Sequence, residues 1–192
     1  RTEAIALPPV LDERRGQLTV QLDPSLAAGM QEGLKYLEHY EYECTEQTVS
    51  RFLPNVLTYH ALRSLGIDQP ELAGRLPALL DEGLAKLYAQ QNPDGGWGWW
   101  HRAQDPQSNP YVSGYVVFAL LRARQADLSI DQQVLQKGLA YIAAQIQPLR
   151  DLDAYRDANR QAWLLYVLSE GNAVDEDDLD ALYDQRDKLS TY

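Results

Sequence analysis

One thiol and one carboxamide stand three residues apart in the segment Tyr40-Glu41-Tyr42-Glu43-Cys44-Thr45-Glu46-Gln47. Cys44 is the only cysteine of the chain. At this spacing a turn or first helical turn brings the two side chains together. Attack of the thiolate on the carboxamide carbon of Gln47 forms an internal thioester and releases ammonia, with Thr45 and Glu46 completing the closed ring. A thioester is a stored acyl electrophile that water destroys, so it needs a shield. Aromatic rings exclude water over a large area at low entropic cost. Tyr40 and Tyr42, beside Cys44, and Trp99 and Trp100 are the candidates, with Trp97 and Tyr155 as further shield or loop residues. A lone cysteine is also commonly a small buried hydrophobe. Against that, the neighbours of Cys44 are Glu43, Thr45 and Glu46 rather than core residues.

The elements that must position this pair are helical. From residue 25 onward, apolar residues recur at helical intervals. Leu53, Leu57, Ala61 and Leu65 form one stripe, ended by Gly66; Leu76, Leu80, Leu84 and Leu87 form a second. Val134, Leu135, Leu139, Ile142 and Ile146 form a third, closed by Pro148. The pattern Gly-Leu-x-x-(Leu/Ile) starts at Gly33, Gly83 and Gly138, and each copy is followed by a break and a second apolar helix, expected at 52–65, 111–126 and 158–169. A helix–loop–helix unit repeated in this way implies stacked hairpins. A last helix is expected from Val174 to Leu189, its positive end met by Asp175, Glu176, Asp177 and Asp178. Residues 1–24 differ. Gly16-Gln17-Leu18-Thr19-Val20-Gln21-Leu22 alternates like a strand between Pro8-Pro9 and Asp23-Pro24. A lone strand is unstable, so this one is assigned to a neighbouring β-domain.

Composition bounds the rest. With 192 residues the chain can bury roughly 70% of its unfolded surface without a staple. One cysteine makes neither an internal disulfide nor a cysteine-rich zinc site, and no cofactor or metal is called for. A net charge of −11 argues against nucleic acid, whose backbone is bound by Lys and Arg. No apolar run approaches the roughly 20 residues needed to cross a bilayer, so no membrane contact is expected. Beginning at Arg1, the chain reads as an excised piece, and targeting signals do not give its compartment.

The loop Gln90-Gln91-Asn92-Pro93-Asp94-Gly95-Gly96-Trp97-Gly98-Trp99-Trp100 resembles the Gln- and Gly-x-Trp-rich repeats of α/α-toroid proteins. In its own right, Pro93-Asp94-Gly95 makes a turn, the glycines allow close passage of the backbone by the Trp rings, and the glutamines can tie loop groups. Cys44-Thr45-Glu46-Gln47, the Cys-x-Glu-Gln pattern, together with Pro54-Asn55, the repeated hairpins and the Gly-Gly-Trp loop, resembles the thioester domains of the α2-macroglobulin and complement family, in particular those of bacterial α2-macroglobulins. The resemblance implies an all-α toroid over 25–192, incomplete, with one or more hairpins beyond Tyr192, and a CUB-like neighbour contributing 1–24. It also implies a broad-spectrum protease inhibitor rather than an enzyme. Proteases would be captured through a Lys amine attacking Gln47, after cleavage of a bait segment elsewhere in the full protein. The partners are then proteases and the other domains of the same inhibitor, in a periplasmic or otherwise extracytoplasmic location, with membrane anchoring of the full protein open. Complement-type members use a downstream His for transfer to hydroxyl groups. No His follows His101, and the corresponding segment 147–157 offers Asp151, Asp153 and Tyr155, which points to direct amine attack. Glu43 and Thr45 replace the glycines of the animal Gly-Cys-Gly-Glu-Gln form.

Three other readings stay open on the residues alone. Cys44 could serve a cysteine hydrolase with His39, His60 or His101 as base, although His60 suits a structural role on its helix. Asp175-Glu176-Asp177-Asp178 resembles a prenyl-diphosphate site but reads more simply as a helix cap. The chain could also be an inert scaffold of helical hairpins.

Overall fold

The computed structural model describes residues 44–66, 69–101, 106–147 and 155–189, all within one compact unit spanning Leu37–Tyr192. The expected β-segment over 1–24 and the Gly33 repeat lie outside the described residues. The described residues form six helices: α1 (Thr45–Leu65), α2 (Pro70–Ala89), α3 (Pro110–Gln125), α4 (Gln132–Ala143), α5 (Tyr155–Glu170) and α6 (Glu176–Asp184), with a short 3-10 turn at Arg186–Lys188. Among the described residues there is no strand.

The helices alternate between two layers. α1, α3 and α5 lie side by side with α3 in the middle; α2 packs on α1, α4 on α3 and α5, and α6 on α5. This is the expected α/α-toroid arrangement. The sequence of α3 shows why it takes the centre. Val112, Val116, Val117, Leu120, Leu121 and Ala123 are all buried, so the helix is apolar around most of its circumference. Its start is fixed by Pro110 and by Asn109, whose side chain accepts from the N–H groups of Tyr111 and Val112.

The repeated glycine has a packing role. A Cβ on Gly83 of α2 would lie 2.6 Å from Cδ2 of Phe52 on α1, and one on Gly138 of α4 would lie 2.7 Å from Cγ2 of Val117 on α3. Each of these two copies of the repeat therefore lets an outer helix close on an inner one. The stripe Leu76, Leu80, Leu84 and Leu87 is buried as expected, as are Leu135, Leu139 and Ile142. The α1 stripe is not. Leu57 and Leu65 are exposed, and the buried face is Val49, Phe52 and Val56. Leu53 already sits half-buried at the rim of that face, and each i+4 step on a 3.6-residue helix turns about 40° further away, so Leu57 is off the face after one step. The last helix is also shorter than expected, with a break at Gln185 before the 3-10 turn. Asp175 caps it by accepting from Asp177 N–H, as its position before an acidic first turn suggests.

Candidate functional site

α1 begins at Thr45, well before the expected Phe52, and Cys44 is its N-cap with extended backbone angles (φ −72°, ψ 164°). Cys44 and Gln47 close the first turn reciprocally. The Cys44 N–H donates to Gln47 Oε1 at 3.0 Å, and the Gln47 N–H donates to Cys44 Sγ at 3.5 Å. This is a capping box with cysteine in the place usually taken by Ser or Thr. The Cys44 carbonyl is engaged as well, accepting from the Thr48 N–H at 3.0 Å and the Thr48 hydroxyl at 3.2 Å. Cys44, Thr45 and Thr48 are buried; Glu46 and Gln47 are half-buried. Thiol and carboxamide thus share one ordered turn, with the carboxamide reachable from outside.

The Trp-rich loop is tied to this turn. The Thr45 N–H, one of the orphan donors of the helix start, donates to the carbonyl of Trp99 at 2.9 Å. Behind that contact the loop is built rigidly. Gln91 Nε2 donates to the carbonyls of Gly95 and Val134, both at 2.9 Å, joining the loop to α4. Asp94 Oδ1 accepts from Gly96 N–H and from the Ser108 hydroxyl. Gly95 takes φ +90°, open to glycine and little else. Trp97 is 0% exposed. Its indole N–H donates to the Leu87 carbonyl at 2.7 Å, and its main chain is paired with the Ser113 hydroxyl through both N–H and C=O. The loop glycines make room for other neighbours in the chain's packing. Gly96 passes Ser108 and Tyr141, and Gly98 passes the Gln107 carbonyl; it is Gly138 of α4 that lies against the Trp97 ring.

The other candidates distribute as follows. Trp97 belongs to the core. Trp99 reaches α1 through its carbonyl, while the Trp99 and Trp100 side chains are 45% and 55% exposed. Tyr155 is the first residue of α5; Tyr40, Tyr42, His39, Asp151 and Asp153 lie outside the described residues. His60 and His101 are exposed, so neither is part of the core. Among the described residues no group of His, Cys, Asp and Glu could hold a metal ion. One network was not anticipated: the Ser50 hydroxyl donates to Glu46 Oε1 at 3.1 Å and lies 3.4 Å from the Tyr115 hydroxyl on α3. Its local half was readable as an i, i+4 pair on a helix; its long-range half was not.

The A-macroglobulin TED domain family matches residues 18–150, more than half of the chain. The chain belongs to that family. This TED domain is 34% identical over 118 residues to the alpha-2-macroglobulin of Thermotoga maritima, covering 62% of this chain and 7% of that protein. It is 32% identical over 154 residues to the alpha-2-macroglobulin of Xylella fastidiosa, covering 76% of this chain and 9% of that one. The chain therefore spans less than a tenth of the length of either relative. Among solved structures it is similar to Salmonella alpha-2-macroglobulin reacted with methylamine, with a TM-score of 0.65 and 23% identity over 87% of this chain and 11% of that one. That likeness bears on the fold, and it agrees with the toroid.

Proposed function

We propose that this TED domain stores a thioester between Cys44 and Gln47 and uses it once, to capture an attacking protease covalently. The observation that carries the reading is the reciprocal closure of one helical turn by these two side chains. Holding two reactants in one geometry replaces a bimolecular encounter with an intramolecular one. In closure, Sγ attacks Cδ of Gln47, the C–N bond breaks, and ammonia leaves with the thiol proton. In capture, a Lys amine attacks the same carbon and the Sγ–Cδ bond breaks. The amine proton passes to sulfur, leaving an amide and a free Cys44 thiol. The thioester is not regenerated, so the domain is an inhibitor element and not an enzyme. Support comes from the Salmonella protein, one solved form of which was reacted with methylamine, a small amine.

Several further assignments belong to this reading. Residues 1–24 form part of a CUB-like neighbour, and 25–192 form the thioester domain. Bait and receptor segments lie elsewhere in a larger inhibitor that meets proteases outside the cytoplasm, in the periplasm. No helix among the described residues is long and apolar enough to cross a membrane. With no His after His101, amine attack proceeds directly.

Intact mass tests the core of the proposal. The chain is expected to be lighter than its sequence mass by one ammonia and to gain one methylamine on incubation with that amine. Its sulfur is expected to resist iodoacetamide, even unfolded, until the bond is cleaved. Full sequence mass with a thiol that labels on unfolding would support an inert scaffold instead.

The shield gives a second prediction. Replacing Tyr42 or Trp100 by Ala is expected to speed spontaneous thioester loss by about tenfold, equivalent to about 1.4 kcal/mol in the barrier. Following the mass over time checks it, and an unchanged rate would remove that residue from the shield.

A further inference from the structure

We infer that the main-chain N–H of Cys44 is the oxyanion donor for both thioester closure and amine transfer. The inference rests on the function proposed above and adds a role for a group that the sequence pattern does not name. Both reactions pass through a tetrahedral carbon at Gln47 Cδ, and in both the negative charge collects on Oε1. That oxygen already lies 3.0 Å from the Cys44 nitrogen, along an N–H aimed at it. An effective oxyanion donor sits about 2.7–3.1 Å from the place the oxyanion takes, is fixed before the reaction, and works in a site with little water. The Cys44 N–H is fixed in advance, held as N-cap by the helix it starts. Its side of the site is buried, with Cys44 only 9% exposed, and Gln47 is half-buried.

Two neighbouring donors are committed elsewhere. Thr45 N–H points to the Trp99 carbonyl, and Thr48 N–H to the Cys44 carbonyl. Gln47 N–H faces Sγ at 3.5 Å. That last donor has a matching use. When the amine has added and the Sγ–Cδ bond breaks, the electron pair goes to sulfur, and Gln47 N–H is beside it. The reciprocal bonds of the capping box therefore meet the two atoms that become anionic, Oε1 as the tetrahedral species forms and Sγ as it collapses.

The test replaces the residue-44 amide by an ester in the full chain, introducing the α-hydroxy analogue of cysteine by nonsense suppression. The side chain is kept and only the N–H is lost. An ester at Phe52, further along α1, removes one helix hydrogen bond without touching the site and controls for stability. Methylamine incorporation and mass are followed in all three proteins, with thermal midpoints to confirm folding. The residue-44 ester is expected to react roughly 100- to 1,000-fold more slowly than the unmodified chain, with the Phe52 ester close to the unmodified rate. A folded residue-44 ester that never loses ammonia supports the inference equally, since closure needs the same donor. Equal rates at residue 44 and in the unmodified chain would overturn it, as would equal slowing by both esters. An unmodified chain that carries no thioester would instead sink the proposed function itself, and this inference with it.

Discussion

Gln47→Glu is expected to abolish amine incorporation while leaving the fold intact. A carboxylate is nearly isosteric with the carboxamide, so its oxygen still accepts from the Cys44 N–H that now reaches Gln47 Oε1 at 3.0 Å. A negative charge in the first turn is favourable there by about 0.3–1 kcal/mol. The thermal midpoint should hold or rise slightly. The chemistry should vanish, because a thiolate approaching a carboxylate meets like charge and a poor leaving group. The variant should show full sequence mass, take up no methylamine, and label with iodoacetamide once unfolded. A variant that still lost mass and still took up methylamine would refute the assignment of Gln47. The substitution separates two roles that coincide in this residue, since capping needs only an acceptor and closure needs ammonia to depart.

Trp97→Ala is expected to cost about 3–5 kcal/mol, as for other buried large-to-small changes. The ring is wholly buried and lies against Gly138 of α4, and its removal also strands the Leu87 carbonyl that accepts the indole N–H. Against a total stability of about 5–15 kcal/mol for a domain, that is a large share. Urea unfolding should show a lower midpoint at an unchanged slope. A loss below about 1 kcal/mol would mean that the cavity collapses, and that Trp97 does not hold the loop in place. The loss should reach the site too, because Trp99, two residues on, accepts from Thr45 at the start of α1.

How far the sequence foretold this arrangement depended on the range of each contact. Leu76, Leu80, Leu84 and Leu87 were legible as a core stripe because helical period and burial agree along α2. The Cys44–Gln47 pair was legible because its geometry is local. The start of α1 was not. Cys44 is an uncommon N-cap, and the polar run Thr45-Glu46-Gln47-Thr48 hides the onset of the helix from any apolar periodicity. The α1 stripe went astray because an i+4 series was followed past the point where it leaves the core. Trp97 and Trp99 look alike in sequence and end up in different surroundings, one as a core pillar and one meeting the site only through its carbonyl oxygen, which accepts from the Thr45 N–H. Ser113, Leu87 and Thr45 decide that difference, and all three lie outside the loop, Thr45 by more than forty residues.

Helix formation is cooperative, since several backbone angles must be fixed before the first hydrogen bond is gained. In α1 the N-terminal turn is the one built by Cys44 and Gln47. The two groups have no standing proximity in the extended nascent chain and acquire it only when α1 forms to its first turn. Under the proposed chemistry, helix formation therefore acts as a timer. An electrophile that would be indiscriminate on an unfolded polypeptide comes into being only after the segment that houses it has begun to fold.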